Sequence, residues 1–319
     1  MEKLDVICVG TAIIDIPLYP IDTDILEQVS YPLDDISMKI GGDAINEATI
    51  ITRLGNKVAL MSAVGDDSAG HFIYDFAKKN NVNIEHLKVR NDLTTSINIG
   101  LVKKDGERTF LNNRNGSLWK MDISDIDLNS IRNAKILSLA SIFNNPLLDN
   151  TALIKIFKQA KKADMIICAD MVKSRLGEGL TDIKEALGYV DYFFPNYDEA
   201  KELTNKTELT DIANTFLDLG VKNIVIKTGK KGCFIKNRQI EKSIPAFTKN
   251  KSTNIDTTGA GDNFVSGFIS ELVRNQPFEA CARFGNAVAA VSVEGLGATA
   301  AVKNRQQVED MIKNYTEKD

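Results

Sequence analysis

The sequence predicts an α/β fold: a mostly parallel central sheet with helices on both faces, and a smaller sheet set beside it. Three observations carry that expectation. Short apolar runs of strand character alternate with helical stretches along most of the chain, the pattern of successive βαβ crossovers. Two other segments alternate apolar and polar residues one for one, as strands with one wet face do. The last third turns helical, with apolar residues at helical spacing.

Val6 to Ala12 is a continuous apolar run with β-branched residues, as in a strand covered on both faces. Gly41-Gly42 opens a helix running to Leu54, which Gly55 closes as a C-terminal cap. Lys57 to Val64 reads as a strand, followed by a helix from Ser68 to about Asn80. Lys135–Leu139, Met165–Ala169, Tyr192–Phe194 and Asn223–Lys227 read as further strands, with helices at Leu153–Ala163, Asp198–Thr204 and Leu209–Leu219. Two stretches break the rhythm. Ile36, Met38 and Ile40 alternate with Ser37 and Lys39, and Ile97, Ile99 and Leu101 alternate with Ser96, Asn98 and Gly100. Asp105-Gly106 then makes a hairpin turn into Arg108–Asn112. These half-buried strands are expected to form a lid, inserted at about 13–40 and 91–118 into a single domain spanning 1–319. Phe264 to Leu272 and Phe278 to Val293 complete the chain's helical end.

Composition excludes several classes of function. The chain has 319 residues, 43% hydrophobic and 26% charged, enough to bury a large core without disulfides or metals. Its 39 basic and 43 acidic residues leave a charge of -4, and no basic run is dense enough to grip nucleic acid. Cys8, Cys168, Cys233 and Cys281 are widely spaced and form no CxxC pair, so buried free thiols in a reducing cytosol are expected. With only His71 and His86, neither a zinc cluster nor Ser-His or Cys-His chemistry is expected. The first residues carry acids where a secretory peptide needs bases, and no stretch approaches the length of a membrane span. A cytoplasmic protein is the expectation.

Asp256-Thr-Thr-Gly-Ala-Gly-Asp262 is the most informative segment, running directly into a helix. Gly259 and Gly261 let main-chain N–H groups turn inward into an anion cradle, and the helix behind adds about half a positive charge at its N-terminus. Asp262 beside that cradle suits a general base that takes a proton from an attacking hydroxyl. A tight turn with a first-turn helix acid explains a glycine-rich turn alone; the doubled threonine, paired glycines and terminal acid together favour the anion cradle. Gly41, Gly42 and Asn46 form a second helix-start cluster, open to a ligand or simply a glycine turn. Asp15 follows the first strand, where a carboxylate can accept from two adjacent hydroxyls or serve a turn. Asn196 and Glu199 read as magnesium ligands near phosphates, as a capping box, or as both. Thr228-Gly229-Lys-Lys-Gly232 suits a phosphate-side loop or a hairpin turn. Gly295 to Ala300 imitates a dinucleotide fingerprint but follows helical sequence, and no P-loop occurs. Arg108 and Arg114 read as strand-edge residues that could reach a substrate, and Trp119 as packing.

Taken in order, these motifs resemble those of the ribokinase-like (PfkB-type) carbohydrate kinases: Gly41-Gly42…Asn46…Arg53-Leu54-Gly55, Pro195-Asn196…Glu199-Ala200, Thr228-Gly229…Gly232 and Asp256 to Asp262. The resemblance covers nearly the whole chain. It implies a three-layer α/β/α sandwich with a β-lid that often forms a dimer contact, and transfer of the γ-phosphoryl group of ATP to a sugar hydroxymethyl group with Mg²⁺. Carried over by position, it makes Asp262 the catalytic base and the amides of Gly259, Ala260, Gly261 and Asp262 the anion hole. Asp15, Gly41, Gly42 and Asn46 bind the sugar, Asn196 and Glu199 the magnesium–phosphate network, Thr228, Gly229 and Gly232 the nucleotide phosphates, and Asn286 lies beside the adenine. An activating K⁺ would take Asp256, Thr258 and the carbonyls of Ser292, Gly295 and Gly297, with Ala301 standing where a serine hydroxyl is expected. Asp43, and Leu139-Ala140-Ser141-Ile142 where ribose kinases place a glutamate, depart from a ribokinase proper, so ribose is not the expected acceptor. A nucleoside or sugar-phosphate kinase, or a non-catalytic sugar-binding regulator, are the alternatives.

Overall fold

The computed structural model describes residues 3–104, 107–248, 256–314 and 316–317. Its first strand, β1 (Leu4–Gly10), lies inside a nine-stranded sheet, paired on both edges, and alternates between two cores: Ile7 and Val9 face one, Val6 and Cys8 the other. Burial on both faces explains its unbroken apolar run. β2 (Ile13–Leu18) leaves the main sheet for a small one, where β3 (Lys39–Gly41) pairs with it antiparallel. The alternation at Ile36, Met38 and Ile40 becomes strand only from Lys39; Ile36 and Met38 are exposed, with no partner strand to bury them.

The main sheet then grows from α1 (Asp43–Arg53), β4 (Val58–Gly65), α2 (Ser68–Lys79) and β5 (Leu87–Arg90). β6 (Ile97–Val102) and β7 (Arg108–Asn112) return to the small sheet, whose order is β3-β2-β6-β7. The Asp105-Gly106 turn expected between them lies outside the described residues, as does the Arg108 side chain. A short α3 (Ser117–Lys120) leads to β8 (Ala134–Ile142), α4 (Asn150–Lys162), β9 (Ile166–Met171), α5 (Leu180–Leu187), β10 (Tyr192–Phe193), α6 (Tyr197–Thr204), α7 (Leu209–Asp218) and β11 (Asn223–Lys227). β12 (Cys233–Lys236) and β13 (Glu241–Ile244) close that edge antiparallel. The chain ends in α8 (Ala260–Val273), α9 (Phe278–Ser292) and α10 (Arg305–Asn314).

The sheet order is β13-β12-β11-β10-β9-β8-β1-β4-β5, parallel from β11 to β5. One core joins the sheet to α4, α5 and α7 through residues such as Phe157, Ile183 and Phe216. The opposite core joins it to α1, α2, α8 and α9 through Ile45, Ile73, Phe268 and Cys281. That is a three-layer α/β/α sandwich. All four cysteines are buried and unbridged. No helix among the described residues is long and apolar enough to cross a membrane.

Candidate active site

Parallel sheets collect the carboxyl ends of their strands along one edge, where crossovers diverge and leave a crevice. Here that crevice is a cleft of about 510 Å³. Its floor comes from Thr11 after β1, Asp170 in β9, Asn196 after β10 and Lys227 at the end of β11. The amino ends of α1 and α8 enter from one side, and Asp15, Asn98, Phe110 and Asn112 of the small sheet overhang it.

Asp262 stands in the first turn of α8, half-buried, with its carboxylate in the cleft. The helix starts there because Gly259 caps it in the left-handed region at φ 72°, and a Cβ on that residue would lie 2.3 Å from the Ala298 Cβ. The N–H of Ala260 donates to the Thr257 carbonyl, so it does not join the cradle; those of Gly261 and Asp262 meet no acceptor among the described residues. Asn46 Nδ2 donates to Asp262 Oδ2 at 2.8 Å, tying the two helix starts together. Burial, then the neighbouring charge of Asp43, pushes the Asp262 carboxyl up to about 7, against the Asn46 bond and Lys227. A carboxylate at that value is matched to proton transfer at neutral pH.

On the small-sheet side, the Asp15 carboxylate lies against the main chain of Gly41: a Cβ there would come within 2.1 Å of Asp15 Oδ2. Burial raises its pKa, opposed by a hydrogen bond with Asn98. Gly42, at φ 98°, brings α1 within reach of the Thr11 carbonyl, 2.6 Å from where a Cβ would stand. Asn46 Oδ1 is buried and unpartnered, an acceptor beside the cleft that a substrate hydroxyl could satisfy. Asp43 is buried between Thr11, whose hydroxyl donates to Oδ1, and Asn144, whose Nδ2 donates to Oδ2 at 2.6 Å.

At the other end, Asn196 and Glu199 form a reciprocal capping box at α6: Glu199 N donates to Asn196 Oδ1 and Asn196 N to Glu199 Oε2, each at 2.9 Å. Both still line the cleft, and burial raises Glu199 to about 7. Gly229 reaches the cleft, whereas Thr228, Gly232 and Asn286 are not among the residues that line it. Thr228 and Gly232 close the β11–β12 hairpin through a 2.8 Å main-chain bond, and Gly232 is held against the Ile244 carbonyl. The Asn286 amide donates to the Ile244 and Pro245 carbonyls, at 3.1 and 3.0 Å, fastening α9 to the end of β13. The residues expected at a cation site do converge in part. Asp256 Oδ1 accepts from Thr258 N and Oγ1, and Oδ2 from Gly297 N at 2.9 Å; Gly295 abuts Ala301, and the Ser292 hydroxyl donates to Ala289.

Several cleft residues carry no motif in the sequence. Asp170 and Lys227 sit at the carboxyl ends of β9 and β11, and that position alone was the available signal. Ser141 and Asn144 belong to the stretch that ends β8, in which Ser141 and Phe143 adopt φ 89° and 70°, a strained path that sequence does not announce. Arg175 donates to Asn144 Oδ1 at 2.7 Å and lies over Trp119, 5.9 Å from the ring centroid; Arg114 lies 5.3 Å from the same centroid. The tryptophan therefore carries guanidinium groups as well as packing.

A family model described as pfkB family carbohydrate kinase matches residues 3–305. An ATP-dependent 6-phosphofructokinase of Thermoanaerobacterium thermosaccharolyticum is 28% identical over 317 residues, covering 97% of this chain and 94% of that one. A probable fructokinase-5 of Arabidopsis thaliana is 30% identical over 86% of this chain and 88% of its own. Among solved structures, Arabidopsis thaliana ribokinase complexed with ribose and ATP superposes with a TM-score of 0.81 at 26% identity, over 98% of this chain and 99% of that one. With the sandwich, the small sheet and the cleft between them, these likenesses make the chain a member of the pfkB family of carbohydrate kinases, phosphotransferases that use ATP on a sugar hydroxyl.

Proposed function

We propose that this protein transfers the γ-phosphoryl group of ATP to a hydroxymethyl group of a small sugar or sugar derivative, with Asp262 as general base. One observation carries the reading: Asp262 is held by Asn46 at the start of α8 and faces the cleft, in no ion pair among the described residues. The acceptor hydroxyl gives its proton to Asp262 as its oxygen bonds to phosphorus, the bond from phosphorus to the bridging oxygen breaks, and ADP leaves. The Gly259, Gly261 and Asp262 amides support the spreading charge together with the α8 dipole. Asp15, Asn46 and the main chain at Gly42 orient the acceptor from the cleft wall, and Gly41, which does not line the cleft, backs the Asp15 carboxylate.

A divalent ion fits the far wall. Glu199, raised to about 7 by burial and by Asp170, is a carboxyl that a cation would ionise, and with Asn196 it offers the oxygen donors Mg²⁺ prefers. Bound there with the phosphates, Mg²⁺ would neutralise their charge. The oxygens around Asp256, Thr258, Ser292, Gly295 and Gly297 fit a K⁺ ion less completely, because Ala301 brings no hydroxyl. Turnover in potassium against tetramethylammonium salts decides that point. The proposal extends to a cytoplasmic homodimer formed through the lid, supported by Tyr19, Phe110 and Leu111, each more than half exposed on or beside the small sheet; light scattering after size exclusion tests it.

A coupled ADP-release assay with MgATP across ketoses, aldoses, sugar acids, sugar phosphates and nucleosides tests the activity. Turnover of a sugar supports it; sugar binding without ADP release refutes it in favour of a regulator. An acceptor bearing an anionic group is a second reading, favoured by Arg175, which lines the cleft with no carboxylate at ion-pair distance among the described residues.

A further inference from the structure

We propose that Lys227 is a further catalytic residue, an ammonium that contacts the non-bridging oxygens of the phosphoryl group in transit. The inference rests on the kinase reading above. Among the described residues, five carboxyl groups line the cleft, Asp15, Asp43, Asp170, Glu199 and Asp262, against two cations, Arg175 and Lys227. A triphosphate entering so acidic a wall needs positive charge at the point of transfer. Arg175 is held by Asn144 beside Asp43, on the acceptor side. Lys227 stands at the amide cradle itself.

The distances support direct contact. A Cβ on Gly261 would lie 3.4 Å from Lys227 Nζ, so the ammonium sits within about 5 Å of the Gly261 Cα once one carbon–carbon bond of ~1.5 Å is added. An oxygen accepting from the Gly261 N–H stands ~2.7–3.1 Å from that nitrogen, which brings it within reach of the same ammonium. The absence of a side chain at 261 therefore leaves the ammonium and the amide facing one oxygen. Lys227 is also fixed before substrate arrives. Its main chain bridges to Asn196, its N–H donates to the Pro195 carbonyl at 2.9 Å, and its ammonium is paired with Asp170 Oδ2. The side chains of the pair are 13% and 5% exposed, so water neither screens nor displaces the contact. Burial opposes the charged form, but the Asp170 pairing and the Glu199 charge outweigh it, so the lysine stays protonated and gives up no proton during transfer. It acts as a point charge on the phosphoryl oxygens, while Asp262 alone takes the acceptor's proton.

The rival explanation is that Lys227 only neutralises Asp170. Comparing Lys227→Met, Asp170→Asn and the double variant separates the two, because the double variant removes both charges and with them the unpaired carboxylate. We expect Lys227→Met to lower the melting temperature and kcat, and the double variant to recover the melting temperature while its kcat stays at least ~100-fold below that of Asp170→Asn, the usual scale for losing one charge-stabilising donor. A double variant whose kcat comes within about threefold of Asp170→Asn overturns the proposal, leaving a structural counter-ion. Calorimetric binding of MgATP without sugar keeps the lysine testable apart from the sugar-kinase reading. If the wild type binds MgATP but phosphorylates no acceptor, it is that reading that fails. The lysine then stands if the double variant binds MgATP at least ~10-fold more weakly than Asp170→Asn, about 1.4 kcal/mol, and falls if the two bind alike.

Discussion

Replacing Asp262 by asparagine removes the proposed proton acceptor while keeping its size and its bond to Asn46, and it perturbs activity and stability in opposite directions. The carboxyl is raised from 3.8 to about 7 by burial and by Asp43. At ~1.36 kcal/mol per pKa unit, that shift corresponds to a ceiling of ~4 kcal/mol against the ionised folded form. Asp262 is half-buried, so water screening brings the figure to about 2 kcal/mol. The sign follows from proton uptake. The folded chain binds this proton more tightly than the unfolded one, so wild-type stability falls as pH rises from ~4 to ~7 and then levels. Asparagine has no such dependence. The variant should therefore melt about 4 °C above wild type at pH 8, taking ~2 °C per kcal/mol for a chain this long, with the gap closing towards pH 4. Turnover should drop at least ~100-fold at pH 8, where the wild-type carboxylate is ionised, and the difference should narrow as pH falls below about 7 and the wild-type base takes up its proton. Differential scanning calorimetry at several pH values and the ADP-release assay read both quantities. Turnover within tenfold of wild type at pH 8 would refute Asp262 as the base; a melting difference independent of pH would refute the account of its burial.

Three other substitutions probe the cleft from its edges. Gly41→Ala would set a Cβ 2.1 Å from Asp15 Oδ2, and displacing that carboxylate should raise the acceptor KM about tenfold with the ATP KM unchanged, by the cost of misplacing a positioning group. Gly232→Ala would meet the Ile244 carbonyl at 2.1 Å with φ at +97°; a loss of ~2 kcal/mol in stability without a change in ATP KM would confirm a hairpin role, whereas a raised KM at unchanged stability would return it to the phosphates. Glu199→Gln can keep the α6 cap but not the charge, so its Mg²⁺ requirement should rise ~10-fold in a magnesium titration, and an unaltered titration would remove Glu199 from the ion's neighbourhood.

The sequence by itself determined the layered fold and both helix starts. Strands buried on two faces need unbroken apolar runs, and helix starts that turn their N–H groups into a cleft need glycine, so Val6 to Ala12, Gly41-Gly42 and Gly259 to Asp262 were legible as local necessities. The strand at Leu87–Arg90 was not legible, and beyond Lys227 only the option of a hairpin turn at Thr228–Gly232 was, since short edge strands owe their form to the neighbours they pair with. Nor were the partners across the cleft. Asn46 and Asp262 are bonded although 216 residues separate them, and Lys227 meets Asp170 from another strand, while Asn286, placed beside the nucleotide by resemblance, is engaged in joining α9 to β13. Only the tertiary structure decided those pairings, because charge and burial act through space and a local pattern records what a residue needs of its own backbone, not what will be standing opposite it.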